Sequence, residues 1–196
     1  MRVVYLLSTA MACTVAIGDW SGNLSQAVQL QDGKVYFTQP PSLVEAVTTY
    51  KNVNAWGATY YFTVSLPETA GEPLQKITIN QREGVDRIRF DLKDSVAFEG
   101  TRSNKGQRVE LKDMSSDRKT KTVSLTFEPP LLPGKTVTIG LKPRRNPMVS
   151  GVYLFGVTAF PPGDKAHGQF LGYGRLHFYN NGFDSIAPSG FFRGWH

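Results

Sequence analysis

The sequence predicts an all-β fold, an antiparallel immunoglobulin-like β-sandwich, from three observations. Apolar and polar residues alternate with a period of two through most of the chain, Gly- and Pro-rich turns separate the short alternating runs, and a helical pattern occurs in one segment. Such alternation is typical of strands that bury one face against a second sheet. A closed barrel is the alternative architecture for the same pattern.

Length and composition fit one such domain. The chain has 196 residues, of which 40% are hydrophobic and 19% charged, so it can bury a sizeable core and is not disordered throughout. The formal net charge of +6 favours anionic partners such as acidic polysaccharide, lipid head groups or acidic proteins. Nucleic acid is not expected, because no known nucleic-acid-binding motif is present and the chain has an export signal.

That export signal occupies the first 27 residues, which have the features of a secretory signal peptide. Arg2 precedes an apolar run that is too short for a membrane anchor, and a polar stretch follows that ends in small residues at Ser25 and Ala27, after which we expect cleavage. The expected location is therefore extracytoplasmic: periplasm, thylakoid lumen or cell surface. Cys13, the only cysteine, is an alternative lipidation site, and its removal by cleavage leaves no thiol for a disulfide or a nucleophile.

The β-sandwich domain is predicted to cover residues 28–179. It begins with "VQLQDGKVYFTQPP", which alternates and turns at Asp32 and Gly33, so we expect a short edge hairpin. In "PSLVEAVTTYKNV", Ser42 and Glu45 have capping-box spacing and apolar residues follow at helical intervals, which predicts one short helix.

Further strands are predicted wherever alternate residues are apolar. The lysine- and serine-rich "KDMSSDRKTK" is expected to be a solvated hairpin loop between two of them. The residues expected to face the core are Ala58, Tyr60, Phe62, Val64, Leu66, Leu74, Ile77, Ile79, Ile88, Phe90, Leu92, Val123, Leu125, Phe127, Val137, Ile139 and Leu141.

Two long strands complete the predicted domain. "GVYLFGVTAF" is apolar on both faces, so we expect a central strand that is covered on both sides. "GQFLGYGRLHFY" follows after a loop of hairpin length and is expected to pair with it antiparallel. Alternation places Gly168, Phe170, Gly172, Gly174, Leu176 and Phe178 on the core face, and Gln169, Leu171, Tyr173, Arg175, His177 and Tyr179 on the outer face.

The outer face of this last strand is the candidate binding site. Tyrosine and arginine dominate protein–protein hot spots, and the same groups stack on sugar rings and pair with uronate or sulfate. The alternative is a structural role, in which the early helix or a neighbouring strand covers this face and the arginine forms an internal ion pair. The candidate binding residues are Tyr173, Arg175, His177 and Tyr179, here called the ladder, with Arg144 and Arg145 of the loop "KPRRNPMVSG".

The last two strands also carry a family resemblance. The segments "VTIGLKPRRNPMVSGVYLFGVTAFPPGDKAHGQFLGYGRLHFY" and "GEPLQKITINQREGVDRIRFD" closely resemble the cyanobacterial exported proteins grouped as domain of unknown function 2808. The resemblance covers nearly the whole chain after the signal peptide. It implies a cyanobacterial host and an extracytoplasmic location, and it brings no established activity and hence no catalytic residues.

No catalytic, metal or cofactor site is predicted. His177 lacks the partners of a nucleophilic triad and the chain has no G-x-S-x-G word, while Asp164 and His167 are a weak signal for a metal site. A polysaccharide-processing enzyme would need two opposed carboxylates. The acids that could converge are Asp91, Asp94 and Glu99.

The sequence therefore predicts an exported, non-catalytic interaction module that needs no cofactor and binds an unknown protein or an anionic polysaccharide. One alternative is a polysaccharide-binding or polysaccharide-processing envelope protein. Another is a structural surface protein in which the aromatic tail, residues 180–196 with Phe191, Phe192 and Trp195, docks into a neighbouring copy. The tail and the basic surface also leave peripheral membrane association open.

Overall fold

The computed structural model describes residues 28–29 and 33–180, so the predicted signal peptide and residues 181–196 of the aromatic tail lie outside the described residues. Within that part of the chain there are twelve β-strands and one short 3-10 helix, Glu68–Ala70. The strands are β1 Val28–Gln29, β2 Val35–Tyr36, β3 Ser42–Thr48, β4 Tyr60–Ser65, β5 Leu74–Glu83, β6 Phe90–Gly100, β7 Lys105–Arg108, β8 Leu111–Asp117, β9 Thr122–Leu131, β10 Thr136–Pro143, β11 Gly151–Phe160 and β12 Gln169–Phe178.

The strands form two five-stranded antiparallel sheets and a separate two-stranded ribbon. Sheet I has the order β3-β4-β10-β6-β7, and sheet II has the order β12-β11-β5-β9-β8. The ribbon pairs β1 with β2 and places Val28 opposite Tyr36, which confirms the predicted pairing, but the ribbon is a separate sheet and not an edge of sheet I or sheet II. The structure thus confirms an all-β protein with two antiparallel sheets.

The core lies between the two sheets and follows from the alternation in the sequence. Of the residues from Ala58 to Leu141 that were expected to face the core, all are buried except Phe90 and Leu92, which are half-buried and pack against it. The two sheets meet through aromatic rings: the ring of Tyr60 in sheet I lies 6.1 Å from Phe155 and 5.6 Å from Phe178 in sheet II. Burial of each such side chain stabilises the fold by about 1.5–3 kcal/mol.

The helix predicted near the start of the domain is wrong, because Ser42–Thr48 forms β3 at the edge of sheet I. The pairing of β3 with β4 shifts register between Leu43 and Glu45, so Val44 is a bulge residue and is 58% exposed. The bulge inverts the alternation, and Leu43 and Ala46 therefore both pack against the core. The helix was predicted with Leu43, Val44 and Val47 on one face, but in β3 Val44 is the exposed bulge residue.

The predicted hairpin loop "KDMSSDRKTK" is also wrong in its first half, because β8 continues to Asp117 as the exposed edge strand of sheet II. The turn itself is tight. Asp117 accepts hydrogen bonds from the Thr120 hydroxyl at 2.9 Å and the Lys119 backbone N–H at 2.8 Å, and these bonds lower the pKa of its carboxyl. Backbone pairing with β9 gives this polar segment its strand conformation despite its exposure.

The strand β11 lies between β12 and β5, as expected for a central strand, but it is not covered on both sides. Tyr153, Phe155 and Val157 face the core and are fully buried. On the opposite face Val152 is 43% exposed and Leu154 is half-buried. The expectation of cover on both sides is therefore wrong, and the uncovered apolar face adjoins the ladder.

Candidate functional site

The ladder lies on the solvent-facing side of β12, the edge strand of sheet II. Tyr173 and Tyr179 are 56% and 55% exposed, Arg175 is exposed, and His177 is half-buried. No element within residues 28–29 and 33–180 covers this face, and the helix that was expected to cover it does not form there. The side chains are therefore accessible within the described structure.

A β-bulge in β12 changes which residues share the ladder's face. Val157 of β11 pairs with Gly172 and the next residue of β11 pairs with Phe170, so Leu171 is the extra residue of the bulge. Gly172 has a φ of 120°, a backbone conformation that residues with side chains rarely adopt. The predicted faces are consequently wrong before the bulge: Leu171 packs against the core, whereas Phe170 points outward and is 45% exposed.

Phe170 extends the ladder into a strip of two ring pairs with Arg175 between them. The rings of Phe170 and Tyr173 meet edge to face with centroids 5.1 Å apart, and the rings of His177 and Tyr179 stack at 6.4 Å. Such contacts hold the rings in defined positions and add about 0.5–1.5 kcal/mol for an aromatic pair beyond area burial. The strip is therefore partly ordered without a ligand.

The neighbouring strands widen this strip into a patch. In the register of the hairpin, Val152 of β11 lies opposite His177. At Gly156, which faces Tyr173, a Cβ atom would lie 3.3 Å from the ring of Phe170 and 3.5 Å from Cγ of Arg82 on β5. We call the resulting surface the hairpin face; it consists of Arg82, Val152, Phe170, Tyr173, Arg175, His177 and Tyr179.

The guanidinium groups of Arg82 and Arg175 have no hydrogen-bond or ion-pair partner among the described residues. The ion pairs found in this part of the chain lie elsewhere, for example between Lys112 and Glu128 at 2.8 Å. The alternative in which Arg175 forms an internal ion pair is thus not seen in residues 28–29 and 33–180. Both groups are free to bind an anionic ligand.

Close packing under the strip explains Gly174 of β12. Gly174 is buried where β12 meets β3 of the opposite sheet. A Cβ atom at this position would lie 2.6 Å from Cβ of Ala46 and 3.0 Å from the ring of Phe62. Only a residue without a side chain permits this approach, which joins the edges of the two sheets and gives the hairpin face a rigid base.

Arg144 and Arg145 lie apart from the rest of the candidate residues, in the β10–β11 loop at one end of the sandwich. The guanidinium of Arg145 lies over the ring of Trp56 at 5.4 Å, and Arg144 is exposed. Tyr179 is the ladder residue at this end, where its backbone N–H donates to the carbonyl of Lys51 at 2.8 Å. The structure therefore divides the predicted site into a strand face and a loop end.

The other acidic and histidine candidates are not brought together. Asp91 and Asp94 line one open groove, whereas Glu99 lies further along β6 in an ion pair with Lys135 at 3.0 Å. The ring of His167 packs against another ring, that of Tyr36, at 4.6 Å. Among the residues described, no group of three or more His, Cys, Asp or Glu side chains could hold a metal ion.

Sequence reasoning did not identify Trp56 or Phe170 as candidate binding residues. It also did not identify Arg87 and Arg89, which line the same grooves as Arg144. Trp56 is 71% exposed in the β3–β4 loop. A lone tryptophan among the turn residues of "NVNAWGATY", outside any alternating run, was a signal that could have identified it. Nothing in local sequence would have grouped Arg87 and Arg89 with Arg144, because they come from different loops.

Comparison with known proteins identifies the family. A family model described as "Protein of unknown function (DUF2808)" matches residues 34–178, and the chain belongs to this family. The comparison with curated proteins found no match. No helix among the described residues is long and apolar enough to cross a membrane.

Several solved structures are distantly similar. The collagen-binding domain of a Staphylococcus aureus adhesin has 11% identity and a TM-score of 0.37, over 71% of this chain and 99% of that one. The C-terminal domain of the antigen I/II-family protein AspA of Streptococcus pyogenes has 11% identity and a TM-score of 0.40, over 68% of this chain and 46%, less than half, of that one. The collagen-binding subdomain ACE19 of the Enterococcus faecalis surface protein ACE has 6% identity and a TM-score of 0.39, over 72% and 96%. Similarities this distant carry no argument about function.

Proposed function

We propose that this member of the DUF2808 family is an exported, non-catalytic interaction module that binds a protein partner through the hairpin face. The observation that supports the proposal is the exposed strip of Phe170, Tyr173 and Tyr179 around the free guanidinium of Arg175. Large aromatic side chains and arginine are the residue types that contribute most to protein–protein binding energy. Contiguous exposed apolar surface of this kind often marks an interaction site.

The geometry of the strip, like its composition, favours binding. Ring contacts between Phe170 and Tyr173 and between His177 and Tyr179 restrict these side chains before a partner arrives. Restriction in the free state lowers the entropy lost on association. The underlying strand is fixed by the close contact of Gly174 with β3, so little backbone adjustment is needed.

The proposal includes a location and a division of the chain. We propose a signal peptide over residues 1–27, an immunoglobulin-like sandwich over 28–179 and an extracytoplasmic location in a cyanobacterium, supported by the apolar run after Arg2 and by the sequence resemblance to exported proteins. N-terminal sequencing of the protein purified from its host should find Val28 as the first residue. An intact Met1 would contradict export by cleavage.

An anionic polysaccharide is the second candidate ligand, because exposed tyrosine rings lie beside free arginine side chains on the same face. Rings of this type stack on sugars, and guanidinium groups pair with uronate or sulfate. Competition distinguishes the two candidate ligands. A soluble polyuronate should compete for the hairpin face if the ligand is a polysaccharide, whereas only the partner protein should compete if the ligand is a protein.

The test is partner capture by the chain without its predicted signal peptide, with a Y173A/R175A variant. We expect the variant to retain its melting temperature and to lose a stoichiometric protein partner, because each hot-spot residue contributes about 2 kcal/mol or more, roughly 30-fold in affinity. A matched variant, R102A/L132A, removes one cationic and one exposed apolar side chain outside the hairpin face and should capture normally. Undiminished capture by Y173A/R175A would refute the proposal, and displacement by polyuronate would favour the second candidate.

A further inference from the structure

Three loops at one end of the sandwich are joined into a single surface, which we call the loop end. It comprises the β3–β4 loop, residues 49–59, the β5–β6 loop, residues 84–89, and the β10–β11 loop, residues 144–150. The backbone N–H of Asn54 donates to the carbonyl of Pro147 at 2.8 Å and so joins the first loop to the third.

The second loop is tied to the third by a carboxylate. Oδ2 of Asp86 accepts hydrogen bonds from the backbone N–H groups of Met148 at 2.6 Å and Val149 at 3.0 Å. The carbonyl of Arg89 also accepts from the N–H of Arg144 at 2.8 Å. Hydrogen bonds therefore connect all three loops to one another.

Two buried tyrosines attach the loop end to the core. The hydroxyl of Tyr60 donates to Oδ1 of Asn146 at 3.0 Å, and the amide of Asn146 donates to the carbonyls of Tyr50 and Asn52, each at 2.9 Å. The hydroxyl of Tyr153 donates to the carbonyl of a loop residue, Val149, at 2.9 Å. The loop end is thus a preformed platform.

Large apolar side chains project from each of the three loops. Trp56 is 71% exposed, Val85 is 76% exposed and Met148 is 64% exposed, and Val149 beside Met148 is 41% exposed. Each lies at or near the tip of its loop, beyond the last strand residue. Such exposed apolar groups on loops stitched to one another form a joint surface that water solvates poorly.

Cationic side chains line two grooves at the loop end, one of which also contains Trp56 and Met148. Two adjoining grooves, of about 290 and 430 Å³, are lined by six cations and by two acids, Asp86 and Asp117. Both carboxylates accept hydrogen bonds from backbone groups, and none of the six cations has an ion-pair partner in the described part of the chain. The cations are Arg87, Arg89, Arg118, Lys121, Arg144 and Arg145.

We propose that the loop end docks onto an anionic lipid bilayer. The apolar tips would enter the boundary between head groups and acyl chains, while the arginines contact lipid phosphates. Trp56 with Arg145 over its ring has the amphipathic character that membrane interfaces favour. An acidic polysaccharide would use the same arginines but would leave the exposed apolar tips Val85 and Met148 without a role.

This surface is distinct from the hairpin face and extends the proposed function. Docking through the loop end would hold the chain at a membrane and leave Tyr173 and Arg175, on a strand face, available to a partner. The two proposals can therefore fail separately. Membrane docking depends on Arg87, Arg144 and the loop tips, whereas partner binding by the hairpin face does not.

The test is co-sedimentation of residues 28–196 with phosphatidylcholine vesicles that either contain or lack phosphatidylglycerol. We expect binding to the anionic vesicles only, and weaker binding at high salt because surface charges are screened. Each arginine near the bilayer should contribute roughly fivefold, so R87Q/R144Q should bind about 25-fold more weakly. The R102Q/K105Q variant removes the same charge from exposed positions at the opposite end and should bind like the parent chain.

The apolar tips are tested separately. W56S/M148S should weaken vesicle binding on the order of tenfold, because it removes side chains that would be buried in the interface. L132S removes an equally exposed side chain, 65% exposed, from the opposite end and should have no effect. In a W195F chain of residues 28–196, Trp56 is the only tryptophan, and its emission should shift to the blue on anionic vesicles and be quenched by brominated lipid.

Several results would overturn the proposal. One is the absence of any enrichment on phosphatidylglycerol vesicles. A second is binding that survives both loop-end variants but disappears when the chain is truncated after Asn180, which would assign attachment to the aromatic tail. A third is tight binding of soluble polyuronate by the same arginines with no vesicle binding, which would identify an acidic polysaccharide as the ligand.

Discussion

Replacing Asn146 should destabilise the protein far more than any other loop asparagine. Asn146 is 2% exposed, and its side chain makes three hydrogen bonds, one from the hydroxyl of Tyr60 and two to carbonyls of the β3–β4 loop. Each of the two bonds to carbonyls contributes about 0.5–1.5 kcal/mol, and the Tyr60 hydroxyl, left buried without its acceptor, costs about 1–3 kcal/mol. Asn146→Ala should therefore lower the free energy of unfolding by about 2–6 kcal/mol.

The assay is urea unfolding followed by circular dichroism. The exposed residue Asn104 provides a matched control, and Asn104→Ala should change stability by about 0.5 kcal/mol or less. A double-mutant cycle with Tyr60→Phe should show coupling of about 1 kcal/mol or more, because the two side chains share one buried hydrogen bond. A loss in Asn146→Ala no larger than that of the control would refute the idea that this residue anchors the loop end.

Three further predictions concern the hairpin and the core tyrosines. Gly174→Ala places a Cβ 2.6 Å from that of Ala46, so the urea midpoint should fall by an amount equivalent to about 1–3 kcal/mol; an unchanged midpoint would contradict the close packing of β12 on β3. In Gly172→Ala the new Cβ meets no neighbour, but the alanine must adopt the φ of 120° that the bulge requires. The free energy of unfolding should therefore fall by about 1–3 kcal/mol in the same assay, and a neutral result would argue against the bulge. Burial raises the pKa of Tyr60 and Tyr153 above the usual value of 10, so their contribution to stability is complete below pH 10 and is lost as pH rises above it. Absorbance titration should show the Tyr60 phenol ionising only as the chain unfolds, and ionisation of Tyr60 near its usual pKa in the folded chain would contradict this.

The core could be predicted from the sequence because alternation is a local signal that depends on burial of one face. In β4, for instance, Tyr60, Phe62 and Val64 are all fully buried, as the period of two requires. The prediction failed where the backbone leaves that period. Bulges at Val44 and Leu171 each insert one residue and exchange the two faces, and neither is visible in the residue types alone.

The candidate site was likewise predictable only in part. Tyr173, Arg175 and Tyr179 lie after the bulge, so the alternation placed them correctly on the outer face. The loop end could not be predicted, because its members come from segments far apart in the chain and meet through tertiary hydrogen bonds such as that between Asn54 and Pro147. The one local indication was Trp56, an isolated large aromatic residue in a turn.

Photo-crosslinking from the hairpin face tests the central claim most directly. A benzophenone amino acid at position 173, introduced into the chain in its native host, should yield one discrete crosslinked protein, which Arg175→Ala should abolish. The same probe at position 132, which is also exposed but lies outside the hairpin face, should not yield that product. If position 173 gives no discrete product, or gives the same products as position 132, the hairpin face is not a protein-binding site.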